Sequence, residues 1–386
     1  MCPSYMASRD EWDSTRGRAN VLRSVLTERS IDGFKAPELA EAMQHCVGCK
    51  GCTKECPSGV DMAAMKSEYL YQNRAKRSIG DRAFASFHKS LKFQSLYRLM
   101  NTVLKSFISR KIMGLHHKRS IPSIAPPTYM RAYKKHYSVD QIIGQKRPLL
   151  IWIDEFTEAQ EPLLVGKTLD ILTALGYHPA IICSPSGRAA LSAGFLLEAK
   201  IIAEEAVNKL RKAILAVGGA PIIGLEASAV LSAIDEFPRL LPNHKSWILQ
   251  QKISTIDKFL ADELPRITIP KGVFEPYKKE ILLHVHCHQK SLESAGDTAY
   301  VLQLLLGAKV DRVKSSCCGM AGSYGMKREN FEMSRKMAEL VLLPKIEAFQ
   351  GDVVIATGTS CRHQIEDFST RKAEHLVDTL WAQLVQ

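Results

Sequence analysis

The sequence predicts a multidomain chain: a small all-α N-terminal domain followed by two α/β repeats with mostly parallel sheets. Three observations carry this reading. Cysteines gather near both ends of the 386 residues, no strand pattern appears before residue 69, and a strand–helix alternation starts at residue 148 and runs twice.

Residues 1–70 form the helical domain. Ser14-Thr15-Arg16-Gly17-Arg18 leads into Val21, Leu22, Val25 and Leu26, which share a helical face. Pro37-Glu38 opens a second helix, since proline is tolerated at the first helical position and an acid suits the positive end of the dipole. A third runs from Asp61 to Tyr71.

Residues 71–147 form a basic helical linker. From 69 to 147 there are 17 Lys+Arg against Asp81 and Asp140 alone, a net of +15 that exceeds the +12 of the whole chain. The high charge therefore belongs to one region and does not indicate a nucleic-acid partner. Phe84, Phe87, Leu91, Leu99, Val103, Phe107 and Ile108 make an apolar stripe over a basic helix of residues 84–111. The stripe is expected to pack on the protein's own domains, the alternative being a membrane-surface helix. Ile121-Pro122 and Pro126-Pro127 end the region.

The first repeat occupies 148–275 and the second 276–386. Strands are predicted at Leu149–Ile153, His178–Ile182 and Pro221–Leu225, with helices over Leu163–Leu175 and about Ala189–Ala216 between them. The pattern returns with strands at Glu280–Val285, near Val310 and at Val353–Ala356, and helices at Thr298–Leu306 and Phe331–Ala348. Two such halves imply an internal duplication.

Hydrophobic content of 46% and charged content of 24% suit a globular protein with a large core. No apolar run reaches the roughly 20 residues of a membrane span, and the polar N-terminus lacks a signal-peptide core. A cytoplasmic location is expected, with a peripheral position at the inner membrane face as its variant. In such a chain, clustered cysteines point to metal or redox chemistry instead of disulfides.

Cys46, Cys49, Cys52 and Cys56-Pro57 have the C-x2-C-x2-C-x3-C-P spacing of bacterial ferredoxins. Three thiolates on a tight loop grip one [4Fe–4S] cubane, and the fourth is thrown toward another cluster. Zinc sites instead pair separated C-x2-C units. Cys2-Pro3 repeats the trailing Cys-Pro, so Cys2 is expected to complete the cluster of Cys46, Cys49 and Cys52. Cys56 would then serve a neighbouring cluster whose other thiolates the chain lacks. The chain would be a fragment, or that cluster absent or completed by another subunit. The alternative is that Cys46, Cys49, Cys52 and Cys56 share one cluster and Cys2 is a free thiol.

Cys287, Cys317-Cys318-Gly319 and Cys361 each lie just past a predicted strand, where open α/β sheets place ligand sites. With Gly319 and Gly322 allowing unusual backbone angles, the four cysteines suit a mononuclear metal or a non-cubane iron–sulfur cluster. His363, two residues past Cys361, is a substitute ligand. His284, His286 and His288 alternate around Cys287, with His286 and His288 expected on the strand face opposite it, and His288 is the weaker candidate. Cys183 stands alone and reads as a small buried hydrophobe.

These residues carry a resemblance. Cys287, Cys317-Cys318-Gly319-Met320-Ala321-Gly322-Ser323-Tyr324-Gly325 and Gly358-Thr359-Ser360-Cys361 resemble the Cys-Cys-Gly domain found in heterodisulfide reductase. They are similar also to the iron–sulfur subunits of glycolate oxidase and anaerobic glycerol-3-phosphate dehydrogenase. Cys2-Pro3-Ser4-Tyr5, the 14–19 stretch and Val60-Asp61-Met62 resemble the iron–sulfur half of FAD-linked D-lactate or 2-hydroxyacid dehydrogenases. The resemblance implies a ferredoxin-like first domain and two Cys-Cys-Gly-type repeats. It also implies electrons passing from FAD on a partner domain or subunit, through the clusters, to a quinone or another acceptor. The chain departs from the pattern twice. The last motif reads Cys361-Arg362-His363-Gln364 and lacks its final cysteine. The first repeat has Pro185-Ser186-Gly187-Arg188 and Glu226-Ala227-Ser228-Ala229 where ligands would stand, so it is expected to be structural.

The chain carries no glycine-rich dinucleotide fingerprint after a strand, so the flavin-bearing substrate site is expected elsewhere and no catalytic residue is assigned. The expected role is an oxidoreductase component that transfers electrons. The rivals are a thiol–disulfide catalyst built on Cys317 and Cys318, and a metal-binding scaffold without redox turnover.

Overall fold

The computed structural model describes residues 2–27, 33–242, 246–270 and 272–385. In the N-terminal region short helices follow one another: Pro3–Ser8, Thr15–Thr27, Pro37–Gln44, Gly51–Glu55 and Met62–Gln72. Proline opens the first and third of these, and the Asp61 carboxylate caps the last by accepting from Ala64 N at 3.0 Å. Val25, Leu39, Met43, Cys46 and Met62 form their small core. Among the described residues before 148, none lies in a named strand.

Eight strands follow: β1 Pro148–Ile153, β2 His178–Cys183, β3 Ile222–Gly224, β4 Ile253–Thr255, β5 Glu280–His284, β6 Lys309–Arg312, β7 Val353–Ala356 and β8 Ala373–Glu374. They make two parallel sheets ordered β2-β1-β3-β4 and β6-β5-β7-β8. The identical order in both sheets is the duplication visible in the sequence. The short strands β4 and β8 lack a strand-like pattern and add to those predicted.

The period of two along each strand decides how the repeats meet. Ile151 and Ile153 of β1 share one apolar cluster with Ile281 and Leu283 of β5, so both repeats are joined through a common core. Leu150 and Trp152 face the other way, onto the helix Leu196–Ala216, and Leu282 and Val354 face the cysteines.

Three helical expectations change. The stretch 189–216 is two helices, Arg188–Ala193 and Leu196–Ala216, broken at Gly194 (φ 83°). A Cβ there would stand 2.3 Å from Leu70 Cβ, so glycine both turns the chain and admits the N-terminal domain. The stretch 331–348 divides into Phe331–Glu339 and Leu342–Ala348. The basic helix of 84–111 is a 3₁₀ segment Phe87–Leu96 followed by helices Tyr97–Lys105 and Phe107–Ile112, with Ser106 capping the last by accepting from Ser109 N. Its apolar stripe is not packed on the protein: Leu99, Val103, Phe107 and Ile108 are exposed. Among the described residues no helix is long and apolar enough to cross a membrane.

Candidate metal centre

The N-terminal cysteines gather around a buried guanidinium. Arg18 is fully buried and donates to Cys2 Sγ at 3.1 Å, Ser4 Oγ at 2.9 Å, Asp13 Oδ1 at 3.2 Å and the Ala42 carbonyl at 2.7 Å. Burial alone would lower the Arg18 pKa, but the Cys46 and Cys2 thiols and Asp13 outweigh it and raise it. Its fork thus folds the Cys2-Pro3-Ser4 turn back toward Cys46. Cys52 shares the neighbourhood of Cys46 and Cys2, and burial raises its thiol pKa.

Cys56 lies apart. Its half-exposed thiol meets the backbone N–H groups of Val60 and Ser58, which favour the thiolate and lower its pKa. The geometry therefore groups Cys2 with Cys46 and Cys52 and leaves Cys56 on its own loop.

Cys49 points the other way, into the second cysteine group. It packs with Cys287, Cys317 and Cys318 in one cluster, and its thiol is pushed well up by burial and then by Cys287. Two contacts fasten its loop: His288 Nε2 lies 3.0 Å from the Gly48 carbonyl, and Ser291 Oγ donates to the Cys49 carbonyl at 3.2 Å. Lys50, almost fully buried with φ of 61°, is paired to Asp235 and to Glu236, the latter at 2.7 Å.

The C-terminal thiols form a chain of contacts from Cys287 through Cys317 and Cys318 to Cys361. Hydrogen bonding to Cys317 and burial push the Cys287 thiol up. The bond from Cys287 favours the Cys317 thiolate, but its bond to Cys318 and burial prevail, and its pKa rises. Protonated, crowded, buried thiols are what remains when a soft cation's ligands are left to one another. Gly319 (φ 90°) turns the backbone after the cysteine pair, and a Cβ there would lie 2.4 Å from the Ser334 carbonyl.

A histidine completes the group. His284, at the end of β5, lies with Cys318 and Cys361 so that their ligand atoms fall within 4.8 Å of one another. Its Nδ1 is 3.1 Å from Ser315 Oγ, while Nε2 is buried without a partner. A buried orphan nitrogen beside four thiols fits a metal or iron–sulfur group. The histidine alternation in the sequence draws attention to His288, which instead faces the Gly48 carbonyl. The signal that singles out His284 is its inward-facing place at a strand end, where an imidazole costs free energy unless it finds a partner.

His363, the expected substitute ligand, lines the adjoining cavity but is not in the group with Cys318 and Cys361. His286 and His288 do not share a strand face: Cys287–Leu292 is helical, with His286 as its N-cap accepting from His288 N. Cys183 packs on the shared core, and burial pushes its thiol to about 12.

The first repeat has exchanged ligands for braces. Glu155 accepts from Ser186 N at 2.6 Å, and Arg188 pairs with Glu236 at 2.7 Å. Burial and then Glu155 push Asp154 to about 8. Glu226 accepts from Thr359 N at 2.9 Å, while Glu161 binds Thr359 and Arg362, so the helix carrying Cys361 is held from the first repeat.

A cavity of about 980 Å³ is lined by Cys46 on one side and Cys287, Cys317 and Cys318 on the other. Lys66 and Tyr324 bridge the two sides. Tyr324 Oη lies 2.9 Å from His45 Nδ1, Lys66 Nζ stands 5.5 Å from the Tyr324 ring centre and donates to the Cys46 carbonyl, and burial lowers Lys66 to about 8.

Residues 1–61 match a family of 4Fe-4S dicluster domains, and residues 281–366 match a cysteine-rich domain family. The chain is 24% identical to D-2-hydroxyglutarate dehydrogenase of Pantoea ananatis, with 98% of this chain and 41% of that protein aligned. It is 27% identical to one of the subunits of the anaerobic glycerol-3-phosphate dehydrogenase of Escherichia coli, covering 70% and 67%. It is 20% identical to the glycolate oxidase iron-sulfur subunit of Escherichia coli, covering 100% and 90%. The chain thus spans 41% of the length of the hydroxyglutarate dehydrogenase. With a dicluster domain over Cys2–Cys56 and a cysteine-rich domain over Cys287–Cys361, the chain is an iron–sulfur protein similar to the iron–sulfur subunits of these oxidoreductases.

Proposed function

We propose that the chain is the electron-transfer component of a flavin-dependent 2-hydroxyacid dehydrogenase. The observation that carries this reading is the burial of Cys49, a residue of the ferredoxin-type motif, against Cys287 of the cysteine-rich domain. Two redox centres in such contact form a path.

Cys2, Cys46, Cys49 and Cys52 would hold a [4Fe–4S] cluster, and Cys56 would serve a second one, in a ferredoxin-like helical domain spanning 1–70. Cys287, Cys317, Cys318 and Cys361, with His284 in the place proposed from sequence for His363, would hold a non-cubane cluster or a single metal. When bound, these groups supply one-electron transfer. The protein's residues position them: Arg18 places a fixed positive charge beside anionic thiolates, Lys50 seats the Cys49 loop, and Glu226 and Glu161 brace the Cys361 helix. The flavin belongs to a partner domain or subunit, and a quinone is the proposed acceptor.

A thiol–disulfide catalyst fits less well. Cys317 and Cys318 are both buried with raised thiol pKa values, the reverse of an activated nucleophile. Iron and acid-labile sulfide analysis with EPR on anaerobically purified protein decides the matter. Iron with sulfide and a reducible signal are expected, and a zinc-only, EPR-silent protein would sink the reading.

A further inference from the structure

The segment 93–112 has its amphipathic character turned outward. Leu96, Leu99, Val103, Phe107, Ile108 and Ile112 are exposed, Phe107 at 78% and Ile108 at 70%. What fastens the segment inward is largely polar. Asn101 Nδ2 donates to the Ile124 carbonyl at 2.9 Å, Asn101 Oδ1 accepts from Ile124 N at 2.8 Å, and Lys105 Nζ donates to Ser123 Oγ at 2.7 Å. The helix Tyr97–Lys105 is therefore anchored by an amide while its leucine and valine side chains meet solvent, the opposite of a surface helix on a globular core.

The flanking charge is of one sign. Lys92, Arg98, Lys105 and Lys111 are exposed around the stripe, and no carboxylate occurs from residue 82 to 139. A protein partner's face carries both signs, whereas a sheet of anionic headgroups carries one. We propose that the helices Tyr97–Lys105 and Phe107–Ile112 form an in-plane docking surface for an anionic lipid bilayer. Their apolar side chains enter the interface and the cations meet the headgroups. On its inner side, Leu104 of the same helix lines the cavity that reaches Cys317 and Cys318. Docking would thus bring the cysteine cavity against the membrane.

The proposal goes beyond the redox reading and does not depend on it, since docking requires no cluster. The test is co-sedimentation of the intact, anaerobically purified chain with vesicles of phosphatidylcholine, with or without phosphatidylglycerol. Binding to the anionic vesicles that weakens with salt is expected. The variant Phe107→Asp/Ile108→Asp should lose about a hundredfold in affinity, in line with the loss of two buried apolar side chains. Lys105→Gln/Lys111→Gln should lose about tenfold on anionic vesicles only. Both pairs lie on the surface, and unchanged circular dichroism serves as the folding control. A wild-type chain that stays in solution with both vesicles overturns the proposal. So does a chain whose self-association, and not vesicle binding, is abolished by the aspartates.

Discussion

Lys50 Nζ lies 2.7 Å from the Glu236 carboxylate, and this ion pair joins the ferredoxin-type loop to the repeat that has lost its own cysteines. Lys50 also pairs with Asp235, and Arg188 holds Glu236 from the other side. Arg188 stands where a Cys-Cys-Gly would place a ligand, so the first repeat has become the socket for the loop of Cys49. Glu236 is held strongly ionised: burial opposes its charge, but Arg188 and Lys50 prevail. Replacing Lys50 by Met leaves buried carboxylates short of a cation and should destabilise the protein by about 3 kcal/mol. Urea unfolding of Lys50→Met against wild type measures it. An unchanged midpoint would mean the pair is not formed in solution.

Arg18 offers a sharper chemical test, because its fork contacts Cys2, Ser4, Asp13 and Ala42 at once. A lysine keeps the charge but cannot reproduce four directed bonds. Arg18→Lys should therefore lower iron per chain nearly as far as Arg18→Gln. Full retention of iron in the lysine variant would show that charge alone suffices.

At the second centre, His284→Ala and Cys361→Ser should each remove the C-terminal metal and leave the N-terminal cluster signal intact, whereas His363→Ala should spare both. Metal analysis paired with EPR reads this directly. If His363→Ala empties the site and His284→Ala does not, the ligand assignment is reversed.

Both cysteine groups and both sheets are readable in the sequence, because thiol spacing and strand periodicity are local patterns. That Cys49 turns toward Cys287 is not, because it depends on how Gly48 and Ser291 meet across more than two hundred residues. The stripe at Leu99 and Phe107 differs from expectation for the same kind of reason. Helical spacing reveals an apolar face, but only the fold reveals whether anything covers it. His284 is hard to single out because His284, His286 and His288 look alike until β5 ends after the first of them.

A pH effect follows from Glu293, which burial and then Asp257 push up to about 7. The folded state keeps this carboxyl protonated where the unfolded chain, with the ordinary carboxyl value of 4.5, has released the proton. Its contribution to stability is thus fully present below about 4.5, falls as pH rises toward about 7, and stays lost above that. Urea midpoints across that window should fall less in Glu293→Gln than in wild type. Parallel curves would show that Glu293 does not titrate there.

The two cysteine groups are held to carry redox centres in contact through Cys49 and Cys287. EPR of the fully reduced, anaerobically purified chain tests this most directly, by asking whether the centres sense each other's spin. The expected result is a broadened or split spectrum that collapses to simple, isolated signals when Cys361→Ser removes the C-terminal centre. Independent signals, unsplit and identical in the wild type and the variant, would contradict it.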